Sequence, residues 1–111
     1  FPQTKLLLPF DGSNGATTTS DSSNSNHTVA FVGDAELSTA QSKFGGSSLK
    51  LDGTVDCVTL PASTCNFGTA DFTVETWIYL NSAPSNASDI LSSNYAGGAE
   101  WYISHLDILR L

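Results

Sequence analysis

The stretch FGGSSLKLDGTVDCVTLPAS, residues Phe44–Ser63, contains two short segments in which apolar and polar residues alternate. They are Ser48–Leu51 and Val55–Leu60, with the turn-forming pair Asp52-Gly53 between them. Alternation of this kind is typical of half-buried strands, and Asp-Gly is a frequent hairpin turn. The pair Gly45-Gly46 before the first segment suits a bend that other residues adopt with difficulty. The stretch therefore predicts two strands that pair as a hairpin.

Strand patterns extend along most of the chain. The strongest is Asp71–Leu80, where Phe72 and every second residue after it form one face that we expect to be core. Helix-forming composition is confined to Asp34–Lys43, which lacks an apolar stripe and is predicted to be irregular or a single turn anchored by Leu37. Short strands separated by turns favour an antiparallel sandwich. Further strands are predicted at Lys5–Phe10, Thr28–Val32, Asp89–Ser93 and Trp101–Leu111, and surface loops at Ala16–His27 and Ala83–Ser88.

Length and composition narrow the class of protein. A chain of 111 residues suits one domain with a single core. Eleven acidic and four basic residues give a net charge of -7, which argues against a nucleic-acid partner because little is present to neutralise phosphates. No apolar run is long enough to span a membrane. Cys57 and Cys65 fit either a disulfide or two free thiols, and Asn26 and Asn86 begin glycosylation acceptor patterns.

Several motifs in order resemble the laminin-G-like branch of the concanavalin A-like lectin/glucanase superfamily. They are LLLPFDG, KFGGSSL, LDG and FGTADFTVETW, and they fall within Leu6–Leu80. The resemblance implies an all-β fold, an antiparallel jelly-roll β-sandwich, so that residues 1–111 form a single laminin-G-like domain. Domains of this family are generally longer. We therefore expect the sandwich to be incomplete in this chain, as part of a longer polypeptide or with sheets completed by partner chains.

The resemblance also implies a function. Such modules occur in bacteriophage tail, fibre and capsid-surface proteins and in secreted multidomain proteins. The expectation is a non-catalytic structural or adhesive display module on a virion surface or outside the cell. Its partners would be other protein chains in an ordered assembly, or cell-surface glycans. The alternative is a secreted carbohydrate-binding module attached to an enzyme.

The residues needed for catalysis are missing from the pattern. A glucanase needs two carboxylates on one strand face, at positions i and i+2. Glu75 is the acid inside the strongest predicted strand, and its same-face neighbours are Thr73 and Trp77. There is no G-x-S-x-G motif, no zinc-ligand spacing and no glycine loop leading into a helix. The sequence predicts a protein that is not an enzyme.

Calcium is the one cofactor that the sequence favours. Calcium takes oxygen ligands from loop carboxylates and carbonyls. Asp11, Asp21 and Asp34 lie in or beside the loops after the first predicted strands, and relatives with this sandwich often hold calcium at a rim. The same residues are ordinary turn formers, which is the alternative.

Four aromatic residues are the candidate contact surface. Aromatic faces pair with the apolar faces of sugar rings and with apolar surfaces of other chains. Packing between the two sheets is the alternative role for such residues. The candidates are Trp77, Tyr79, Trp101 and Tyr102.

Overall fold

The structure is a computed structural model that describes residues 3–65, 68–83, 89–95 and 98–104. In its last two strands, the side chains are described for residues 90–92. The chain divides into two compact units, Phe1–Trp77 and Ile78–Leu111. The elements are β1 (Ala30–Val32), β2 (Glu36–Ser38), β3 (Ser48–Lys50), β4 (Cys57–Thr59), a 3-10 turn (Ala62–Cys65), β5 (Asp89–Tyr95) and β6 (Gly98–Ser104).

The strands of the first unit form two nested antiparallel pairs. β2 pairs with β3, placing Leu37 opposite Leu49. β1 pairs with β4, placing Phe31 opposite Val58. Phe31 and Val58 are half-buried between exposed neighbours, as the alternating sequence requires. The β2–β3 pair thus lies, along the chain, inside the β1–β4 pair.

The buried apolar side chains of the described residues centre on β2. Leu37 is fully buried, and Ala35 just before the strand is buried too. Both backbone polar groups of Leu37 are hydrogen-bonded. Its N–H donates to the carbonyl of Ala16 at 2.7 Å, and its carbonyl accepts from the N–H of Gly15 at 2.7 Å. The segment around Gly15 and Ala16 therefore lies beside β2 and restricts its position.

In the second unit, β5 and β6 form an antiparallel hairpin of two seven-residue strands. The register runs from Asp89 opposite Ser104 to Tyr95 opposite Gly98, with two irregularities between. Within the ranges that the structure describes, no helix has the length and apolarity needed to cross a membrane.

The predicted all-β class is confirmed. Apart from the 3-10 turn, every regular element among the described residues is a strand in a small antiparallel sheet. The loop predicted at Ala16–His27 is confirmed, whereas residues 84–88 of the other predicted loop lie outside the description. Strands are confirmed, with different bounds, in the predicted segments Thr28–Val32, Ser48–Leu51, Val55–Leu60, Asp89–Ser93 and, for residues 101–104, Trp101–Leu111; residues 105–111 lie outside the described part.

The hairpin expected around Asp52-Gly53 is wrong. The turn itself is present, and Gly53 has a positive φ of 86°. However, β3 pairs with β2 and β4 pairs with β1. Each strand thereby places an apolar side chain opposite another one, Leu49 against Leu37 and Val58 against Phe31. These cross-strand contacts outweigh the local turn signal.

The strand expected at Lys5–Phe10 is also absent. The alternation survives in the burial, because residues 6, 8 and 10 are half-buried and residues 5, 7 and 9 are exposed. The hydrogen bonds of Leu7 go elsewhere: its N–H donates to the Asp21 carboxylate, and its carbonyl accepts from Ser22. Pro9 has no N–H to contribute to a ladder. The segment is therefore anchored to a loop and not to a strand.

Two further expectations need correction. The segment Asp34–Lys43 contains strand β2 rather than only a turn, although Leu37 is the anchor as predicted. Asp71–Leu80 belongs to no strand of the description, and its predicted core face is exposed. The exposed fractions reach 57% at Phe72 and 55% at Leu80. An alternating sequence forms a strand only where a neighbouring strand can pair with it and other residues can cover its apolar face.

Candidate functional site

Three aspartates of the first unit converge at one rim. One carboxylate oxygen from each of Asp34, Asp52 and Asp56 lies within 4.8 Å of the others. Asp34 precedes β2, whereas Asp52 and Asp56 lie in the loop that joins β3 to β4. We call these residues the acidic triad. Among the described residues, it is the one group of acidic, histidine or cysteine side chains close enough together to hold a metal ion.

Asp56 organises the acidic triad through its backbone contacts. One of its oxygens accepts the N–H of Asp34 at 2.6 Å, and the other accepts the N–H of Asp52 at 3.0 Å. Asp52 in turn accepts the N–H of Thr54 at 2.7 Å, the geometry of an Asx turn. Gly33 allows the Asp56 carboxylate to lie close to the backbone, because a Cβ at this position would collide with that carboxylate. Gly33 also has a φ of +69°, which glycine adopts readily.

The electrostatic surroundings favour the ionised form of Asp56, one member of the acidic triad. The N–H of Asp52 lowers the pKa of the Asp56 carboxyl. Burial opposes this, while the N–H of Asp34, a hydrogen bond with the Asp52 side chain and the charge of Lys50 assist it. Asp34 and Asp52 are exposed. Lys50 lines the same open hollow, but its ammonium lies 3.4 Å from Glu36, so the two largely offset each other. What remains is a group of oxygens of the type that calcium prefers.

The residues predicted from the sequence as calcium ligands therefore do not lie together in one site. Asp34 joins the acidic triad, and Asp11 and Asp21 are not part of it. The carboxylate of Asp11 lies against Gly45. Asp52 and Asp56 are not among the residues predicted from the sequence. The available signal is an aspartate on either side of Gly53, a pattern that also indicates an ordinary turn. Calcium binding at Asp11, Asp21 or Asp34 stays a prediction.

Asp21 has a different role in the structure. Its side chain is buried and accepts five hydrogen bonds from Leu7, Ser23 and His27. Burial would raise its pKa, but the N–H groups of Leu7, His27 and Ser23 outweigh burial and hold the pKa well below the usual range of a carboxyl. Because both oxygens are already occupied by donors, this residue fastens a loop.

The aromatic candidate Trp77 lies in a small exposed cluster. Its ring meets that of Phe44 edge to face, with centroids 6.4 Å apart and planes at 73°. The ammonium of Lys43 lies 4.5 Å from the Trp77 ring centre, a cation–π contact. Trp77 is 70% exposed and Phe44 is 69% exposed. We call Lys43, Phe44 and Trp77 the aromatic patch.

The other aromatic candidates lie in the second unit. Tyr79 is exposed at 66%. Trp101 and Tyr102 belong to β6, and their side chains lie outside the described part. Phe44 is not among the residues predicted from the sequence, because the Phe-Gly-Gly run indicates a bend. A large apolar residue next to a flexible glycine pair was the available signal.

Cys57 is a free and exposed thiol. Of the two alternatives left open by the sequence, the structure therefore contains the free form at this position. Cys57 lies opposite Val32 in the β1–β4 pair, next to Asp56.

Comparisons with known proteins assign no family: no family model matches the chain, and neither the curated proteins nor the solved structures contain a significant match.

Proposed function

We propose that the protein is a non-catalytic structural or adhesive module that binds other protein chains through exposed apolar surface. The observation that carries this proposal is the exposure of Asp71–Leu80. Trp77 in the first unit is 70% exposed, and Ile78 and Leu80 in the second unit are 42% and 55% exposed. Soluble proteins seldom leave so many large apolar side chains in water unless a partner covers them. Aromatic residues such as Trp77 and Phe44 are also enriched at the centres of protein interfaces.

We further propose that the strands belong to a jelly-roll β-sandwich of the concanavalin A-like type. Support comes from the nested pairing of β1 with β4 and β2 with β3. A jelly roll is in effect a long antiparallel hairpin wound so that successive strand pairs enter alternate sheets. The two nested pairs lie in separate two-stranded sheets, which is consistent with that winding.

The proposed location is a virion surface or the outside of a cell. It rests on the resemblance of the motifs between Leu6 and Leu80 to modules in phage structural and secreted proteins. The net charge of -7 suits a displayed, soluble surface.

A second candidate function is carbohydrate binding by a module attached to an enzyme. The observation in its favour is the geometry of the aromatic patch, where Trp77 is exposed and meets the Phe44 ring edge to face. An exposed indole face can stack on the apolar face of a pyranose. A glycan array with saturable binding that Trp77→Ala abolishes would favour this function over the purely structural one.

We also propose calcium as the ligand of the acidic triad. Asp34, Asp52 and Asp56 supply three carboxylates from two loops, and calcium accepts such oxygens at varied geometry. A bound cation would relieve the repulsion among the three negative charges and would hold the two loops together. Its role would be to stabilise the rim, not to take part in a reaction.

Site-specific photo-cross-linking tests the proposed function. A photoreactive phenylalanine analogue replaces Trp77 in one variant and Tyr79 in another, and each is activated in the cells or particles that contain the protein. We expect a dominant cross-linked protein chain from each position. The control places the same analogue at Asn24, an exposed residue of the polar loop, where we expect little product.

The same experiment has outcomes that contradict the proposal. Products at position 77 that are no more abundant than those at position 24 would mean that the apolar segment has no partner. Cross-links to glycan in place of protein would favour the carbohydrate-binding alternative.

A further inference from the structure

We propose that the aromatic patch of one molecule docks on the acidic rim of a second copy of the same chain. The acidic rim is defined as the acidic triad together with the exposed apolar residues Leu51 and Val55. This inference rests on the proposed function, because it names the protein partner as another copy. The contact is between two different surfaces of the first unit, so it is heterologous.

The aromatic patch offers a cation beside apolar area. Among the described residues, Lys43 makes no ion pair, and its ammonium is held over the ring of Trp77. The rings of Trp77 and Phe44 are both more than two-thirds exposed. A positively charged group fixed next to two uncovered rings matches a surface that has the opposite charge and its own apolar area.

The acidic rim has that complementary composition. The carboxylates of Asp34, Asp52 and Asp56 lie close together, and the described residues give them no ion pair. Val55, between two of them in the sequence, is 82% exposed, and Leu51 is 47% exposed. Val55 also has a φ of 65°, unusual for a β-branched residue, so the loop holds the backbone at this position in an otherwise unfavourable conformation.

Docking requires both the ion pair and the apolar contact between the aromatic patch and the acidic rim. An ion pair between exposed charges adds little affinity, so Lys43 alone would not hold two molecules together. Desolvated aromatic residues contribute most of the affinity at interfaces, and the charges set the orientation. Val55 covering the rings of Phe44 and Trp77 supplies the apolar part. In the calcium-free chain, the triad carboxylates supply the partner for Lys43; bound calcium would compete with it.

A second copy is favoured over a different acidic protein because each molecule carries both surfaces. Contacts of this heterologous kind repeat from copy to copy and close into a ring or continue as a filament. That repetition is what an ordered structural assembly requires. A single small contact of this type is expected to be weak, so it becomes populated at the high local concentration of an assembly.

The test is a charge-exchange experiment read by sedimentation velocity with a chelator present. Wild-type protein is examined from about 1 µM to about 1 mM, the range over which weak complexes form. We expect the average mass to rise with concentration. Lys43→Asp and Asp34→Lys should each weaken association by roughly tenfold or more, because like charges then meet. An equimolar mixture of the two variants should associate again, because each supplies the surface that the other lacks.

Asp34 is chosen because its carboxylate accepts no hydrogen bond among the described residues, unlike those of Asp52 and Asp56. Lys5→Asp is the matched control: it changes the net charge by the same amount at another exposed lysine. Circular dichroism checks the fold of every variant. Trp77→Ala provides a second route that leaves all charges unchanged, and it should also weaken association.

Three results would overturn the inference. They are a wild-type protein that stays monomeric at about 1 mM, a Lys5→Asp variant as impaired as Lys43→Asp, and a mixture that fails to associate. If the protein is monomeric but position 77 still cross-links to one other protein, docking of a second copy is wrong and the proposed function stands. If that cross-linking also fails, both are wrong.

Discussion

Asp21 and His27 are joined twice through one carboxylate oxygen. The backbone N–H of His27 donates to Oδ2 of Asp21 at 2.9 Å, and the ring Nδ1 lies 2.8 Å from the same atom. An ionised carboxylate only accepts, so Nδ1 must carry the hydrogen. The other oxygen accepts the N–H groups of Leu7 and Ser23. One buried side chain thereby closes a loop and fastens it to the segment that contains Leu7.

Replacing this carboxylate should destabilise the protein. Asp21→Asn leaves one acceptor oxygen and places an amide NH2 among donors. We expect the free energy of unfolding at pH 7 to fall by about 1–3 kcal/mol, the cost of unsatisfied buried polar groups. Urea denaturation measures it. Asp71→Asn is the control, since it removes the same charge from an exposed residue; an equal loss there would contradict the assigned role.

The same residue should make stability depend on acid pH. The pKa of Asp21 in the folded chain is lower than the unfolded value of about 3.9. Its contribution is therefore fully present above that unfolded value and is lost as the pH falls toward the folded pKa. The difference in unfolding free energy between wild type and Asp21→Asn should shrink steadily as the pH falls below about 4. A difference that does not change with pH would contradict this prediction.

The core around β2 should depend strongly on one side chain. Leu37 is fully buried, so Leu37→Ala removes apolar contacts and leaves a cavity. We expect a loss of about 2–4 kcal/mol in the free energy of unfolding. Leu51→Ala is the matched control, because Leu51 is 47% exposed and should lose less than about 1 kcal/mol. Comparable losses would mean that Leu37 is not the centre of the core.

The sequence predicts the class of fold better than the pairing of its strands. Alternation around Leu49 and Val58 identified β3 and β4, because a period of two is a local property. It did not identify their partners, because pairing depends on which distant strand offers an apolar match. The strand around Leu37 is not recognisable from the sequence, because three residues are too few to show a period of two. Its position depends on hydrogen bonds to the distant residues Gly15 and Ala16.

The candidate site shows the same division. Asp34 and Trp77 were recognisable from residue type and position alone. Their neighbours were not, because Asp56 approaches Asp34 across 22 positions and Phe44 meets Trp77 across 33. Contacts over such separations follow from tertiary folding. Residue type therefore identifies single candidate residues, whereas the residues that lie beside them are known only from the structure.

Two neighbouring glycines should differ in their tolerance of a side chain. Gly45 and Gly46 both have positive φ, +70° and +87°. An added Cβ at Gly45 would collide with the Asp11 carboxylate, whereas one at Gly46 meets nothing within 4 Å. Gly46→Ala should lose only the backbone term of about 1–2 kcal/mol, and Gly45→Ala should lose clearly more. Thermal unfolding of both variants measures the difference.

The collision can be tested directly with a double variant. Combining Gly45→Ala with Asp11→Ala removes the obstructing carboxylate. The double variant should then be about as stable as Gly46→Ala. If it remains as unstable as Gly45→Ala, steric conflict with Asp11 is not the cause, and the non-additivity expected for touching residues is absent.

Calcium should stabilise the acidic rim modestly. A ligand that binds only the folded chain raises the melting temperature by mass action. For a domain of this size we expect a rise of a few degrees, because about 1 kcal/mol corresponds to about 4–8 °C. Differential scanning fluorimetry with calcium and with EDTA measures it. Asp34→Asn should abolish the shift, since it removes a carboxylate of the acidic triad, whereas Asp11→Asn should retain it. If Asp11→Asn abolishes the shift and Asp34→Asn retains it, the calcium site includes Asp11 and not the acidic triad. A fall of more than about 10 °C with EDTA would mean that calcium holds the fold and not only the rim.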